Sequence, residues 1–101
     1  MIKALYEVSE DRYLSLEVSG HAEYGEYGKD LICASVSSIM FGLMNALDAL
    51  DQNVTIGQEE NRIIIEDHSS CETVQNYFQL AITQMKTIEA SYGDFIRVER
   101  K

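Results

Sequence analysis

From Leu31 to Leu47 the chain runs LICASVSSIMFGLMNAL, seventeen residues without a charge. This run constrains the fold more than any other part of the sequence. Its length approaches the roughly 20 residues that span a bilayer. Ser35, Ser37, Ser38 and Asn45 interrupt it, however. Its flanks carry Asp30, Asp48 and Asp51 instead of the Lys- and Arg-rich borders of a membrane anchor. The segment therefore reads as a core helix from about Leu31 to Asp51, apolar nearly all round and central to its domain. Asp30 is placed as its N-cap, with a carboxylate suited to the amides of the first turn. Ala34, Ser38, Gly42 and Ala46 recur every four residues and predict a small-residue ridge lying flat on a sheet.

The remaining segments supply that sheet. Ile2, Ala4, Tyr6 and Val8 alternate with polar residues, as do Leu14, Leu16 and Val18, so two strands form a hairpin around a turn at 9–12. Val54 and Ile56 open a third strand, 58–61 turn, and Arg62–Glu66 forms a fourth. Ser69 followed three residues later by Glu72 has the form of a capping box. It starts a second helix whose Val74, Phe78, Ala81, Met85 and Ile88 share one face, making it amphipathic and superficial. Gly93 ends that helix, and 95–99 forms a last strand. The order ββαββαβ predicts an α+β two-layer sandwich, with an antiparallel-rich sheet packed against two helices. At 101 residues the chain is expected to form one domain, 1–101.

The net charge of −9 disfavours direct nucleic-acid binding, which draws on Lys and Arg to neutralise phosphates. It suits a basic partner, although solubility alone would also account for it. Two cysteines without an export signal point to a reducing compartment and to thiols rather than a disulfide.

One of those thiols has chemical context. Cys33 falls in the first turn of the predicted helix, where the dipole and unpaired amides favour thiolate. Twelve positions earlier stands His21, whose ordinary pKa suits proton transfer at neutral pH. The intervening loop carries Gly25 and Gly28, with Gly20 just before His21, and it also holds Tyr24 and Tyr27. Glycines give it the freedom of a lid, and the two tyrosines are candidates for contacts to substrate. The amides of Cys33 and Ala34 are candidates for an oxyanion hole. Asp30 is suited to orienting the imidazole as well as to capping. The bland readings stand beside these: a lone helical Cys is as a rule a small buried hydrophobe, and a loop His is ordinarily just exposed. A second pair, His68 and Cys71, also opens a helix, but its short loop has no glycine and leaves little room for a substrate. Spacings of H-x11-C and H-x2-C do not match the close ligand pairs of zinc sites, so no metal or other cofactor is expected.

The run Gly20-His21-Ala22 followed by Gly28-Lys29-Asp30-Leu31-Ile32-Cys33-Ala34-Ser35-Val36-Ser37 resembles the bacterial ribosomal-processing cysteine proteases, the Prp family. The resemblance extends over the whole chain in length and element order. Ser35 departs from it, since alanine is commoner there. The resemblance implies a cytoplasmic endopeptidase that removes an N-terminal extension from large-subunit ribosomal protein number twenty-seven, after a hydrophobic segment ending in aromatic residues. It implies His21 and Cys33 as the catalytic dyad, with Gly20, Gly28, Asp30 and Ser37 at supporting motif positions. A homodimer is implied as well, with no direct nucleic-acid and no membrane partner. The non-enzymatic alternative is an acidic ribosome-assembly adaptor that binds a basic ribosomal protein without cutting it.

Overall fold

The computed structural model describes residues 1–20 and 29–101, with side chains at 1–20 and from Leu31 onward. The elements follow in the predicted order: β1 (Ile2–Ser9), β2 (Arg12–Ser19), α1 (Lys29–Leu50), β3 (Val54–Glu59), β4 (Arg62–Asp67), α2 (Glu72–Tyr92) and β5 (Ile96–Arg100). They build an α+β fold with a five-stranded sheet in the order β3-β4-β2-β1-β5. Pairings β1–β2, β2–β4 and β3–β4 are antiparallel, whereas β5 runs parallel to β1.

Alternation explains the sheet. Ile2, Ala4, Leu16, Val18, Ile65, Ile96 and Val98 turn inward to one continuous core. The β1–β2 connection is a two-residue turn in which Glu10 (φ 52°) and Asp11 (φ 62°) both occupy the left-handed region. Turns with positive φ at both central residues match the natural twist of a hairpin. Val8 pairs with Tyr13 but Glu7 with Ser15, which leaves Leu14 as the extra residue of a bulge.

The helices cover the core face. In α2 the predicted face is buried, with Val74, Phe78, Ala81, Ile82 and Met85 all inside and Ile88 packed at its margin. In α1, Ile32, Val36, Met40, Leu43 and Leu47 are buried, while Leu31 and Phe41 remain exposed. This corrects the expectation of an all-round buried helix: α1 is one of two covering helices and contributes a single stripe. The small-residue ridge is corrected with it. Ala34, Ser38 and Gly42 face outward, and a Cβ built on Gly42 would meet nothing within 4 Å. Bulky residues fill the space above the sheet better than small ones, so the large side chains took the inner face. Among the described residues, α1 is the one helix long and apolar enough to cross a membrane by length and composition. Its apolar stripe here belongs to the protein core.

Both helix starts differ from expectation. Helix α1 begins at Lys29, so Asp30 is its second residue and not its cap. Acidic residues favour the first turn for the same electrostatic reason that they favour the cap, and sequence alone does not separate the two. Helix α2 is capped at Cys71, without a side-chain cap bond, and not at Ser69. Ser69 is held by Asp67: its N–H and hydroxyl both donate to Asp67 Oδ1, at 2.8 and 2.6 Å. The same carboxylate, 1% exposed, accepts from Gln75 Nε2 at 2.8 Å and lies 3.6 Å from Arg12.

Candidate active site

Helix α1 lies against the sheet through its inner stripe, and Cys33 sits on the shoulder of that stripe. Its side chain is half-buried and packs on the core beside Ile32 and Val36. As the fifth helical residue it stands past the first turn, which corrects its predicted position. Two consequences follow from helix geometry. Amides at the fifth and sixth positions of a helix reach carbonyls four residues back, which is the geometry that α1 gives to Cys33 and Ala34. The amides without such an acceptor are those of the first turn, Lys29 to Leu31. A Cα–Cβ bond tilts toward the helix start, so the Cys33 side chain leans back toward that turn.

The thiol opens onto a groove of about 220 Å³ between α1 and the tip of the β3–β4 hairpin. The helix wall includes Cys33, Ser37 and Phe41, each one turn beyond the last. Ile2 and Val18 form part of the floor, and the hairpin tip at Glu59, Glu60 and Asn61 forms the edge across from the helix. Gly20 lines the same groove, and its backbone explains why a glycine stands there. Its φ is +95°, and a Cβ would overlap the Met1 carbonyl oxygen and crowd Ile2 Cα at 3.3 Å. The Gly20 N–H donates to the Asn61 carbonyl at 3.1 Å. The chain thus leaves β2 through a fixed left-handed residue tied to the opposite wall, and the next residue in sequence is His21.

Arg62 is the one cation among the described residues that border this groove, and its side chain lies with Glu17 on the sheet face away from α1. Arg62 donates from Nε and Nη2 to Glu17 Oε1 at 2.8 and 2.5 Å. That hydrogen bond, and then the charge of Glu17, hold the guanidinium above its ordinary pKa. Its contact with Glu59 is looser, 3.9 Å, with the Glu59 side chain 72% exposed. Glu59 pairs with Arg62 in the strand register, so both side chains lie on the face of the sheet opposite α1.

Several expected residues now have places. Cys33, Ser37 and Gly20 meet in one groove. Ala34 is exposed and is not among its lining residues. His21, Tyr24, Tyr27 and Gly28 lie outside the described residues, as does the side chain of Asp30. Cys71 is half-buried at the α2 start, at the far end of β4 from the groove, with His68 exposed beside it. Both cysteines are thiols. Sequence reasoning did not single out Phe41 or the Glu59–Arg62 tip. Phe41 was within reach, since stepping by four from Cys33 and Ser37 arrives at it. The hairpin tip carries no local signal and joins the site only through strand pairing.

A half-buried thiol on a helix, facing a groove open enough for a peptide, is an arrangement suited to nucleophilic attack on an amide carbonyl. Comparison with known proteins points the same way. A family model described as "Cysteine protease Prp" matches residues 1–97. The ribosomal processing cysteine protease Prp of Bacillus subtilis (strain 168) is 34% identical over 107 aligned positions, covering 97% of this chain and 96% of that protein. Crystal structures of the ribosomal processing protease Prp from Staphylococcus aureus superpose closely. The complex with a covalently linked product peptide has a TM-score of 0.89 at 28% identity. The complex with a substrate peptide has a TM-score of 0.90 at 27% identity. Both alignments cover 100% of each chain.

Proposed function

The chain belongs to the cysteine protease Prp family, and we propose that it is a thiol endopeptidase removing the N-terminal extension of large-subunit ribosomal protein number twenty-seven during ribosome assembly. The observation that carries this reading is the Cys33 thiol in the wall of a groove that also contains Gly20, the residue to which His21 is bonded.

In this mechanism His21 accepts the proton of Cys33, and the thiolate sulfur attacks the scissile carbonyl carbon. The C–S bond forms as the carbonyl π-pair moves to oxygen. First-turn amides of α1 hold that oxyanion. Collapse breaks the C–N bond, and protonated His21 gives its proton to the leaving amine. Water, deprotonated by His21, then attacks the thioester; the carboxylic acid departs and the thiol is restored. Asp30 orients His21, Gly20 and Gly28 set the backbone of the intervening loop, and Ser37 supports the thiol one turn along α1. Tyr24 and Tyr27 contact the aromatic end of the cleaved segment.

The enzyme works in the cytoplasm as a homodimer, without direct contact to nucleic acid. Two copies carrying −9 each associate most readily where charge is sparse. The outer faces of the helices offer such a surface, since no charge occurs from Leu31 to Leu47 or from Thr73 to Met85. Between them lies a groove of about 400 Å³ bordered by Ser38, Gly42, Ala46, Tyr77 and Leu80.

The test is incubation of the unprocessed ribosomal protein with wild type, Cys33→Ala, His21→Ala and Cys71→Ser, with the product N-terminus read by mass spectrometry. Wild type and Cys71→Ser cleave, while the other two lose at least about a thousandfold in rate. Cleavage by Cys33→Ala would overturn the mechanism. A wild type that binds the precursor tightly and leaves it whole would establish the adaptor instead.

A further inference from the structure

The β3–β4 hairpin tip is tied to the residue that precedes His21. Glu59 and Arg62 are partners in the strand register, so Glu60 and Asn61 form a two-residue connection. Such a connection matches the twist of its strands when its first central residue, or both, has positive φ. The β1–β2 turn meets that condition at Glu10 and Asp11, whereas neither Glu60 nor Asn61 is left-handed. The tip's own turn therefore does less to place it, and bonds to β2 supply the rest. Arg62 Nε and Nη2 both donate to Glu17 Oε1, on the sheet face away from α1. The Asn61 carbonyl accepts from the Gly20 N–H at 3.1 Å.

These bonds act at one place. Glu17 and Gly20 are three residues apart, and Asn61 and Arg62 are adjacent, so the end of β2 is clamped twice to the same tip. On its other side Gly20 meets the Met1 carbonyl, and the Ile2 N–H fixes that segment by donating to the Phe95 carbonyl at 2.9 Å. Peptide units are planar, so a bond at the Gly20 N–H fixes the plane from which its φ of +95° is set. The direction in which the chain proceeds to His21 is fixed with it.

We infer that Arg62 is a positioning residue for the general base: bonded to Glu17, it holds the Asn61 carbonyl against Gly20 and so sets where His21 stands for proton transfer with Cys33. The inference rests on the protease reading and adds to it a residue whose side chain lies on the other face of the sheet from the groove. A displacement of about 1 Å in a catalytic group costs up to about a hundredfold in rate. An exposed ion pair can therefore matter to catalysis while contributing little to stability. Glu17 also lies between Leu5 and Ile64 in the register, both partly buried, so an apolar side chain suits its neighbours. Glu17→Leu thus breaks the clamp without lowering stability.

The experiment compares wild type, Arg62→Met, Arg62→Lys and Glu17→Leu, with Cys33→Ala as the blank. We measure kcat and KM on a fluorogenic peptide spanning the cleavage site of the ribosomal precursor, amide exchange at Gly20 by NMR, and the denaturant midpoint. Arg62→Met and Glu17→Leu lower kcat by roughly ten- to a hundredfold, with KM within about threefold of wild type. In both, the Gly20 amide exchanges about tenfold faster or more. The midpoint of Glu17→Leu is no lower than that of wild type. Arg62→Lys keeps a charged donor and returns kcat to within about threefold of wild type. A kcat within about twofold of wild type in Arg62→Met and Glu17→Leu, a loss confined to KM, or an equally protected Gly20 amide overturns the inference. So does a loss of kcat that follows a lowered midpoint in every variant. Wild-type cleavage leaves the protease reading standing in each of those cases. A wild type that cleaves no better than Cys33→Ala overturns both.

Discussion

Replacing Gln75 by Leu removes the one polar side chain of α2 that is counted in its buried face. Gln75 is 8% exposed and stands where β4 has ended but β2 still presents Tyr13. Its amide replaces the missing strand. Oε1 accepts from the Tyr13 N–H at 2.7 Å, and Nε2 donates to the Tyr13 carbonyl at 2.8 Å and to Asp67 Oδ2 at 2.8 Å. Each Tyr13 bond is worth about 1 kcal/mol, and the bond to the carboxylate about 1.5–3 kcal/mol. A buried Leu returns roughly 1–2 kcal/mol of apolar transfer. The balance is a loss of about 2–3 kcal/mol, which lowers Tm by roughly 10–20 °C in a domain this size. The assay is urea and thermal unfolding followed by far-UV circular dichroism, with the m-value unchanged. Tyr13 and Asp67 lie at the opposite end of β2 and β4 from Gly20 and Arg62. Cleavage measured well below Tm should therefore stay within about twofold of wild type. A Tm within about 2 °C of wild type, or higher, would refute the reasoning: the amide would then be interchangeable with an apolar group of similar size.

Two further substitutions test the backbone argument at glycines. Gly20→Ala places a methyl group against the Met1 and Ile2 backbone at a φ of +95°, so stability falls by about 2 kcal/mol or more by denaturant unfolding. Cleavage also falls, because the entry to His21 is displaced; an unchanged midpoint would mean the N-terminal backbone yields freely. Gly42→Ala, in open space on a helix, raises stability by about 0.5–1 kcal/mol, seen as a Tm higher by a few degrees. A fall in Tm instead would mean that the second protomer packs against that backbone too closely to admit a methyl group.

The strands were legible because alternation has only two phases, and Ile2, Ala4, Leu16 and Val18 leave no doubt which residues point inward. Helix α2 was legible because its polar residues mark the outer face. Helix α1 was less so: a segment without charges has no polar stripe to fix its rotation, and Phe41 and Met40 look alike in sequence although only Met40 is buried. Asp30 and Ser69 misled as helix starts because the residues that cap helices also suit first turns and side-chain turns. Gln75 gave no signal, since its partners, Tyr13 and Asp67, are distant in sequence. At the candidate site the thiol and its helix were readable. The hairpin edge of the groove was not, because that tip comes near α1 only after β4 has paired with β2.

The parallel pairing of β5 with β1 bears on when the molecule becomes competent. Ile2 lies in the groove that holds the thiol, and its neighbour across the sheet is Ile96. A nascent chain emerging from the ribosome therefore exposes β1 with one side unsatisfied until residues 96–100 follow it out. The groove floor is assembled only then, so the thiol gains its binding surface after synthesis of the whole sheet and not during it. An emerging chain of this design is a silent precursor, and truncations that remove β5 should yield a thiol protein with no organised cleft.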